Sequence, residues 1–572
     1  GGIDSGIIYN NYATGSVTGI TNNVGGLVGV NSDSIIYNGV ALNSSISGKD
    51  NVGKVIGNNE NSSIINCYSW NNTRMSLSTM GEDGIGIDYD NTNGFQVDGT
   101  NIDWNEMFDD SIDNAWINME GNHIPILKDI ISTQSSDIPN HIKKDDKQTA
   151  NVIYINHLED FKKFRDSVNS PSDPNHYDGK TVILSNDIDL SSISSWEPIG
   201  NHVYQFKGTF DGNGHVIKNM TIEGNDKYVG LFGYVDLEGT IKNVALENVN
   251  ITGKSFVGGL VGVNYGAIFN TSVTGSIKAT ENSVGGLVGY HCGTIHNSHT
   301  TIAVEGEEND VGGLVGKNAG TIFHSSASGS VTGTGLWQVG GLVGNNGAKI
   351  SSSYSSARVK GGSSVGGLVG YNYDTIMFSY AEGTVTGTND EIGGLVGANH
   401  GTISHSYAAG DVTGEDTFIG GLVGINEEKI NNSYAIGSVT GGTYVGGIAG
   451  EMSDSGSIQH SAALNPSVSG NSYVGRVVGH NNGSVMDCYG YNHMTVTQNG
   501  SDSGENGTDI SYDAKNGFSV DWKTIFNDTA SDFWENMDHK HIPTLIGTNS
   551  TQSGDIPEHI KHNGETDAAA NI

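Results

Sequence analysis

The sequence predicts an all-β chain folded as a three-sided parallel β-solenoid. Three observations predict it: a hexapeptide close to V-G-G-L-V-G recurs, its copies lie about 27 residues apart, and glycine is abundant, with 84 residues. A fixed period over many copies is the signature of a repeat architecture. The copies of the main block begin at Val229, Val257, Val284, Val311, Val339, Val365, Ile392, Ile419, Val445 and Val474, and two earlier copies begin at Val24 and Val52.

One repeat shows why each coil should consist of strands. Residues 392–414 contain three short runs that alternate apolar with small or polar residues: G-L-V-G, T-I-S-H-S-Y-A and D-V-T-G. Glycine, asparagine and aspartate flank these runs and supply turns, whereas so many glycines would make helices costly. We therefore expect three short strands per coil. Coils stacked about 4.8 Å apart would form a rod roughly 45–50 Å long.

Alternation along the second run assigns its side chains to faces. Ser406 and Ala408 should point into the core, because Cys67 and Cys488 replace that serine in other coils and a small thiol suits a core. Tyr407 should then point outward. The equivalent residues predict a ladder of four exposed tyrosines, Tyr354, Tyr380, Tyr407 and Tyr434. Such a ladder would be a stacking platform for sugar rings, a contact surface for another module, or a self-stacked ladder that only stiffens the sheet.

The repeat G-G-L-V-G-x-N-x-G-x-I-x-x-S-Y-A-x-G-x-V-T-G resembles the GLUG motif over residues 6–70 and 229–490. The resemblance implies a β-helical stalk or adhesin-like segment of a secreted or cell-surface protein of bacteria or archaea. Some GLUG repeats accompany peptidase domains, but no peptidase motif is recognisable in this sequence.

A longer repeat predicts tandem modules. Blocks of residues 61–131 return in the same order within 485–547: Cys67 and Cys488 are 421 residues apart, and Ser132 and Ser550 are 418 apart. Each block contains two tryptophans that would cover an open solenoid end, Trp104 and Trp116 in the first and Trp522 and Trp534 in the second. We expect the end of one module with its cap (1–131), a linker (132–150), a complete module (151–484), its cap (485–549), and a linker with the start of a next module (550–572).

One short helix is expected where the complete module opens. Within residues 157–168, Leu158, Phe161, Phe164 and Val168 have helical spacing. Asn156 followed by Glu159 predicts a capping box at its start. We interpret this helix as the amino-terminal cap of the module, ahead of the first strands.

Composition excludes several classes of function. The chain has 27 Lys and Arg against 63 Asp and Glu, a formal charge of −36, so nucleic acid and anionic lipid are not expected partners. No apolar run is long enough to span a membrane. Cys67, Cys292 and Cys488 fit neither a disulfide framework nor a zinc site, and buried or turn thiols are the expectation. These features suit an extracellular, well-hydrated protein, and we expect the sequence to start inside a longer gene product or after processing.

Chemical sites are sparse in the sequence. Asp211-Gly-Asn-Gly resembles half of a calcium loop without its later glutamate. Acidic residues before several G-G-L-V-G runs are weak candidates for Ca²⁺ ligands, although a solvated face is the simpler interpretation; they are Glu281, Glu308, Asp390, Glu415 and Asp416. We expect no cofactor and no catalysis, because no coil carries the paired carboxylates or basic residues of a polysaccharide lyase or hydrolase.

Twelve N-x-S/T sequons are possible glycosylation sites, and a used site would have to face water. They are Asn43, Asn61, Asn71, Asn219, Asn250, Asn270, Asn431, Asn482, Asn499, Asn506, Asn527 and Asn549.

The sequence thus predicts a structural protein: an extracellular fibre, sheath or surface layer built from tandem capped modules, with copies of itself as the main partner. The alternative is a carbohydrate-binding adhesin stalk that uses the tyrosine ladder. A polysaccharide lyase or hydrolase is the third and weakest hypothesis.

Overall fold

A computed structural model describes residues 152–171, 177–335, 337–498, 504–513, 517–526, 534–535, 537, 540–545 and 556–563, together with shorter stretches between residues 2 and 127. The chain forms two compact units, Gly1–Val152 and Ile153–Ile572. No helix among the described residues is both long and apolar enough to cross a bilayer.

The larger unit is a parallel β-solenoid whose strands stack into four long sheets, named A to D in the order of one coil. Sheet A contains Lys227–Val229, Ser255–Gly258, Val284–Gly285, Val311–Gly312, Trp337–Gly340, Ser363–Gly366, Ile392–Gly393, Thr417–Gly420, Thr443–Gly446 and Ser472–Gly475. Sheet B contains Phe232–Val235, Val261–Asn264, Val288–His291, Val315–Asn318, Val343–Asn346, Val369–Asn372, Val396–Asn399, Val423–Asn426, Ala449–Met452 and Val478–Asn481.

Sheets C and D are longer. Sheet C contains Val152–Ile155, Thr181–Leu184, Thr209–Asp211, Thr240–Lys242, Ala267–Phe269, Thr294–His296, Thr321–Phe323, Ile350–Ser351, Ile376–Met377, Ile403–Ser404, Lys429–Asn431, Ser457–Gln459 and Ser484–Met486. Sheet D contains Ile188–Asp189, Val216–Lys218, Thr221–Ile222, Ala245–Gly253, Ser272–Ala279, His299–Gly306, Ser326–Gly333, Tyr354–Ser355, Arg358–Gly361, Tyr380–Ala381, Val385–Gly387, Tyr407–Ala408, Val412–Gly414, Tyr434–Ala435, Val439–Thr440, Ala462–Ala463, Ser467–Gly470, Tyr489–Tyr491, Thr495–Gln498 and Thr508–Ile510.

Strand register confirms the predicted parallel solenoid and its period. Ile392 pairs with Ile419 in sheet A, Val396 with Val423 in sheet B, and Ile403 with Ile430 in sheet C, each in parallel register. Each of these pairs is 27 residues apart, so one repeat of the sequence is one coil.

The number of strands per coil was predicted wrongly. Residues 392–414 form five short strands rather than three, because Ile392–Gly393 is a separate strand ahead of Val396–Asn399 and the run T-I-S-H-S-Y-A is broken between Ser404 and Tyr407. His405 in this break has a φ of 46°, in the left-handed region. The same corner residue is left-handed in ten coils: Asn243, Asn270, Asn297, His324, Ser352, Phe378, His405, Asn432, His460 and Asp487.

The paired glycines of the motif are required by close backbone packing, both within a coil and between neighbouring coils. A Cβ on Gly393 would lie 1.9 Å from the carbonyl oxygen of Val396, and one on Gly394 would lie 2.1 Å from that of Gly421. Only glycine allows the backbone to approach so closely. The flanking Ile392, Leu395 and Val396 are fully buried and form the apolar core of this coil.

Helix α1, Leu158–Val168, lies at the start of the larger unit and buries Phe161, Phe164 and Val168. Phe161 stacks on Trp196 with ring centroids 5.0 Å apart, and Phe164 stacks on Phe210 at 5.7 Å. These contacts join the helix to the first coils, and a capping role remains a prediction.

The predicted capping box is wrong. The N-cap of α1 is His157, whose side chain makes no cap hydrogen bond, because the helix begins one residue later than the pattern suggested. The Asp160 carboxylate accepts a 3.2 Å hydrogen bond from the Asn156 backbone N–H, whereas Glu159 pairs with Lys162 at 2.8 Å.

The carboxy-terminal segment follows the last coil. It contains two antiparallel pairs, Tyr512–Asp513 with Gly517–Phe518 and Trp534–Glu535 with Thr544–Leu545. It also contains helices α2, Trp522–Ile525, and α3, Glu558–Asn563. Glu505 pairs with Val478 at the free edge of sheet B, so this residue covers part of the solenoid end.

The smaller unit has the same organisation on a shorter scale. Its parallel strands are Gly2–Asp4, Val28–Ser32 and Ile56–Glu60; Val24–Gly25 and Val52–Gly53; Val17–Thr18, Ser45–Ser47 and Arg74–Ser76; and Ile7–Ala13, Ile35–Ala41, Ser63–Ile65, Tyr68–Trp70 and Ile85–Asp90. Antiparallel strands follow, Gly94–Val97 with Thr100–Asn101 and Trp116–Ile117 with Ile126–Leu127. Trp116 pairs with Leu127 as Trp534 pairs with Leu545, 418 residues later in both cases. The tandem-module prediction agrees with this pairing and remains a prediction, as do the domain boundaries.

Candidate functional site

The tyrosine ladder exists, but it is not exposed. Ring centroids are 4.8 Å apart between Tyr354 and Tyr380, 4.8 Å between Tyr380 and Tyr407, and 5.0 Å between Tyr407 and Tyr434, with planes within 3° of parallel. Tyr380, Tyr407 and Tyr434 are completely buried, and Tyr354 is half-buried. The expectation of four exposed tyrosines is therefore wrong, and three of these rings have no face open to a sugar.

The carboxy-terminal segment covers the ladder at Tyr434. The Tyr434 hydroxyl donates a 2.7 Å hydrogen bond to the carbonyl of Pro543, 109 residues later in the chain. The rings of Trp522 and Trp534 lie 6.2 and 5.7 Å from the Tyr434 ring. In the next coil the residue that pairs with Tyr434 is Ala462, and its small side chain leaves room beside the Tyr434 ring. These tryptophans were expected over the last coil, but they contact a coil before it, and Trp104 and the side chain of Trp116 lie outside the described residues.

The inward assignment of the serine and alanine is confirmed, since Ser406 and Ala408 are fully buried. The backbone N–H of Ser406 donates to the Ser433 hydroxyl at 3.2 Å, and the Ser406 hydroxyl donates to the Ser404 carbonyl at 2.8 Å. The first of these bonds recurs between neighbouring coils from Ser298 to Ser461. A serine ladder therefore runs along the inside of the corner between sheets C and D.

The cysteines behave as the sequence predicts. Cys67 and Cys488 are buried thiols, and Cys292 is a half-buried thiol. The Cys488 thiol takes the place of a ladder serine and donates to the Met486 carbonyl at 3.2 Å. Burial raises the pKa of the Cys488 thiol to about 12, so it is an unreactive core group at neutral pH.

A buried asparagine ladder lies at the end of sheet B, and the sequence interpretation missed it. Side-chain amides donate along the rod from Asn318 to Asn346 at 2.7 Å, and from Asn346 to Asn372, Asn372 to Asn399 and Asn399 to Asn426 at 2.8 Å. All five residues are at most 1 % exposed. The signal was an asparagine after most of the G-L-V-G-x runs, a polar residue at a constant place in an apolar repeat.

Removing one member of this asparagine ladder should destabilise its coil. In Asn399→Ala, the side-chain Oδ1 of Asn426 loses its donor and the side-chain amide of Asn372 loses one of its two acceptors, which should cost about 1–3 kcal/mol. Amide hydrogen exchange of residues 372–426 should become faster, and the exposed Asn250→Ala should leave exchange there unchanged. Unchanged exchange in Asn399→Ala would show that water replaces the lost bonds without cost.

The candidate calcium ligands are not brought together. The Glu281 carboxylate binds Lys254 at 2.9 Å and accepts from the Ser255 hydroxyl at 2.6 Å, and Asp390 accepts from the Thr417 hydroxyl at 2.5 Å. Glu308, Glu415 and Asp416 are exposed. Within the described parts of the chain, no three His, Cys, Asp or Glu side chains are grouped so that they could hold a metal ion.

The sequons differ in accessibility. Asn250, Asn482 and Asn506 are exposed, whereas Asn219, Asn270 and Asn431 are half-buried. Asn43 is 1 % exposed and its side-chain amide donates to the Gly15 carbonyl at 2.6 Å, so Asn43 cannot carry a glycan in this fold. The remaining sequons, Asn61, Asn71, Asn499, Asn527 and Asn549, lie outside the described residues.

A shallow groove of about 970 Å³ runs over the first coils of sheet D. Its lining residues carry no titratable side chain; they are Ser191, Asn219, Thr221, Asn248, Val249, Asn250, Gly275 and Ser276. General acid–base chemistry needs a positioned titratable group. This groove therefore offers polar contacts without the residues of a glycosidase or lyase centre.

Comparisons with known proteins give two relatives that each match a short part of this chain. The chain is 34% identical to halomucin of Haloquadratum walsbyi over 114 residues. This alignment covers 18% of this chain and 1% of halomucin. The chain is also 39% identical over 99 residues to a protein of Evansella cellulosilytica titled "Putative Gly-rich membrane protein". This alignment covers 16% of this chain and 12% of that protein. The chain thus spans only a small part of either relative.

Among solved structures, the crystal structure titled "putative immunoglobulin A1 protease" from Bacteroides ovatus aligns with a TM-score of 0.24 and 17% identity, over 69% of this chain and 91% of that chain. A TM-score this low supports no conclusion that the two proteins share a fold or an activity.

A family model described as the GLUG motif matches residues 308–332, 361–386 and 388–413. Each match spans most of one coil of the solenoid, with strands from sheets A to D arranged as described above. The resemblance predicted from the sequence is confirmed, and the chain carries GLUG-motif repeats.

Proposed function

We propose that this chain is part of an extracellular structural protein, whose tandem β-solenoid modules form a cell-surface fibre, sheath or surface layer. One observation carries the proposal: the four parallel sheets and the asparagine, serine and tyrosine ladders all run along the same axis. Backbone hydrogen bonds, the asparagine and serine ladders and the stacked tyrosines all resist bending or extension of the same rod. Such a rod suits a mechanical role.

Two further features support this proposal. The formal charge of −36 keeps the surface hydrated and would oppose non-specific association. The names of the two relatives, halomucin and a Gly-rich membrane protein, fit a surface protein. Catalysis is not favoured by any arrangement of the described side chains, and the tyrosine ladder of the adhesin hypothesis is buried.

Electron microscopy of native, unproteolysed material tests the proposal. Thirteen stacked strands in sheet C give one module a length of about 60 Å at a spacing of 4.8 Å. Filaments or sheets with an axial repeat of at least about this length are expected, because one module is then the repeating unit. Separate rods with no common lattice would contradict an assembled fibre, sheath or layer.

A further inference from the structure

A buried carboxylate lies in the middle coils of the solenoid, where sheets A and B meet. Asp310 comes directly before the strand Val311–Gly312 of sheet A and is 7% exposed. Its carboxylate accepts a 3.1 Å hydrogen bond from the Ser283 hydroxyl and a 3.2 Å hydrogen bond from the side-chain nitrogen of Asn345. Burial raises the pKa of the Asp310 carboxyl, and the charge of Lys317 opposes that rise. A carboxyl with a raised pKa accepts and returns a proton more readily near neutral pH.

Lys317 and Asn345 are direct neighbours on adjacent strands of sheet B. They pair in parallel register, within Val315–Asn318 and Val343–Asn346. Adjacent strands lie about 4.8 Å apart, and side chains in register point to the same face. The flexible stem of Lys317 is therefore long enough to bring its amine to the side-chain carbonyl carbon of Asn345. Lys317 is exposed and can move, whereas Asn345 is 9% exposed and is held in place.

Two hydrogen bonds orient the side-chain amide of Asn345. Its Nδ2 donates to Oδ1 of Asp310 at 3.2 Å and to Oε1 of Gln338 at 3.3 Å. The nitrogen that would depart in an attack on this amide therefore lies beside a carboxyl that can protonate it. Tyr290 and Tyr371 pair in register on the two outer sides of Lys317 and Asn345, and these half-buried rings reduce the contact of the pair with water.

The ten strands of sheet B carry this pair of residues once. Lys317 and Asn345 are each the third residue of a strand, and no other sheet B strand has lysine or asparagine at that place. The third residues of the other strands are Tyr234, Val263, Tyr290, Tyr371, Ala398, Ile425, Glu451 and His480. The lysine and the asparagine are thus neighbours in the same part of the rod as the buried carboxylate.

Glu391 provides an internal contrast. It takes the place of Asp310 three coils later, and burial raises the pKa of its carboxyl as well. The residues beside it that correspond to the lysine and the asparagine are Ala398 and Ile425, which pair in register. A carboxyl group at this place therefore meets an amine and an amide only at Asp310.

We propose that Lys317 and Asn345 form an intramolecular isopeptide bond, with Asp310 as the proton carrier. Asp310 accepts one proton from the Lys317 ammonium group, and the neutral amine attacks Cγ of Asn345. Asp310 then donates its proton to Nδ2 and accepts the proton that the attacking nitrogen sheds. The new N–Cγ bond forms as the Cγ–Nδ2 bond breaks, and ammonia leaves and takes the last proton as ammonium. The step consumes no other reactant.

The proposed bond would join two neighbouring coils covalently. It would close a loop between residues that are 28 positions apart, and it would restrict the unfolded chain as a disulfide does. It is a single self-modification and turns over no substrate. The proposal does not depend on assembly into a fibre, because all three groups belong to one solenoid.

Mass spectrometry of the denatured full chain tests the proposal. The unaltered chain should be lighter than its sequence requires by the mass of one ammonia. Chymotrypsin cuts after aromatic residues and separates Lys317 from Asn345 at Phe323 and Trp337, so the fragments that carry the two residues should stay joined. Lys317→Arg should have its full mass and give separate fragments, because a guanidinium group keeps its proton.

Two further variants test the role of the carboxylate. Asp310→Asn keeps the shape of the side chain but cannot carry the proton, so it should retain its full mass. Unchanged hydrogen exchange of residues 392–446 would show that this variant has folded. Glu391→Gln is the matched control, because it alters the equivalent carboxyl beside Ala398 and Ile425, and it should lose ammonia as the unaltered chain does.

Three results would overturn the proposal. The first is a full mass in the unaltered chain. The second is an ammonia loss that persists in Lys317→Arg with separate fragments, as a succinimide at Asn346 and Gly347 would give. The third is an isopeptide bond that forms equally in Asp310→Asn, since Asp310 would then carry no proton in the reaction.

Discussion

Replacing Tyr407 by alanine should destabilise the coils around it by about 3–5 kcal/mol, the usual cost of truncating a large buried aromatic residue. Tyr407 is completely buried between the rings of Tyr380 and Tyr434, so its removal leaves a cavity and breaks two stacking contacts. Coils of a solenoid depend on their neighbours, so the effect should extend to Tyr380 and Tyr434 and then decline with distance.

Hydrogen exchange read by mass spectrometry is the suitable measurement, because a repeat protein of this length need not unfold in a single step. Exchange should accelerate in residues 380–435 of Tyr407→Ala, and it should stay unchanged in residues 209–264. Tyr373→Ala is the matched control, since this tyrosine is 55% exposed and should cost little. Equal exchange in Tyr407→Ala and the unaltered chain would show that the ladder contributes no stability.

A second variant tests the contact between the tyrosine ladder and the carboxy-terminal segment. Tyr434→Phe keeps the stacked ring but removes the hydrogen bond to the Pro543 carbonyl, which should cost about 1 kcal/mol. Exchange should then rise in residues 541–545 more than in the ladder itself. A change confined to the ladder would mean that the Tyr434 hydroxyl does not hold the segment in place.

The ladder also shows how far the sequence could predict this structure. Periodicity and alternation predicted the parallel solenoid, the 27-residue coil and the inward Ser406, because each coil repeats the same local pattern. The burial of Tyr434 depends on Pro543, 109 residues away, and no local pattern specifies that contact. Tyr434 was therefore predicted wrongly to be exposed, because an outward-pointing side chain was taken to be open to water.

Two other differences have local causes that the sequence contained. The break at His405 depends on one left-handed residue, and asparagine and histidine, which adopt that conformation more readily than most residues, recur at its place. The asparagine ladder follows from a fixed polar position, but its hydrogen bonds run between coils. Only the stacking of coils in register makes such a buried amide favourable, because each amide then finds a partner in the next coil.

His291 takes the place of an asparagine in that ladder, and this makes the first coils sensitive to acid. It is completely buried, its Nδ1 lies 3.1 Å from the Asn264 amide nitrogen, and its Nε2 lies 3.4 Å from the Thr321 carbonyl oxygen. Burial lowers the pKa of His291 to about 4. In the unfolded chain a histidine has a pKa of about 6.5.

The sign of the pH effect follows from these two pKa values. Below pH 6.5 the unfolded chain binds a proton at His291 that the folded chain does not accept until about pH 4. Stability is therefore complete above pH 6.5 and falls as the pH decreases toward 4. Since one pKa unit corresponds to about 1.4 kcal/mol, the loss from this one group approaches about 3 kcal/mol.

The variant His291→Asn should remove this loss, because asparagine does not titrate and continues the ladder of neutral amides. At pH 7.5 the variant and the unaltered chain should exchange amide hydrogens in residues 264–318 at similar rates, whereas at pH 4.5 the variant should be better protected. Carboxylates also titrate in this range, but they are common to both proteins and cancel in the comparison. The exposed His202→Asn should leave these coils unaffected at either pH. Equal protection of His291→Asn and the unaltered chain at pH 4.5 would mean that the His291 proton is accommodated in the folded solenoid, and that the asparagine ladder tolerates a charge within it.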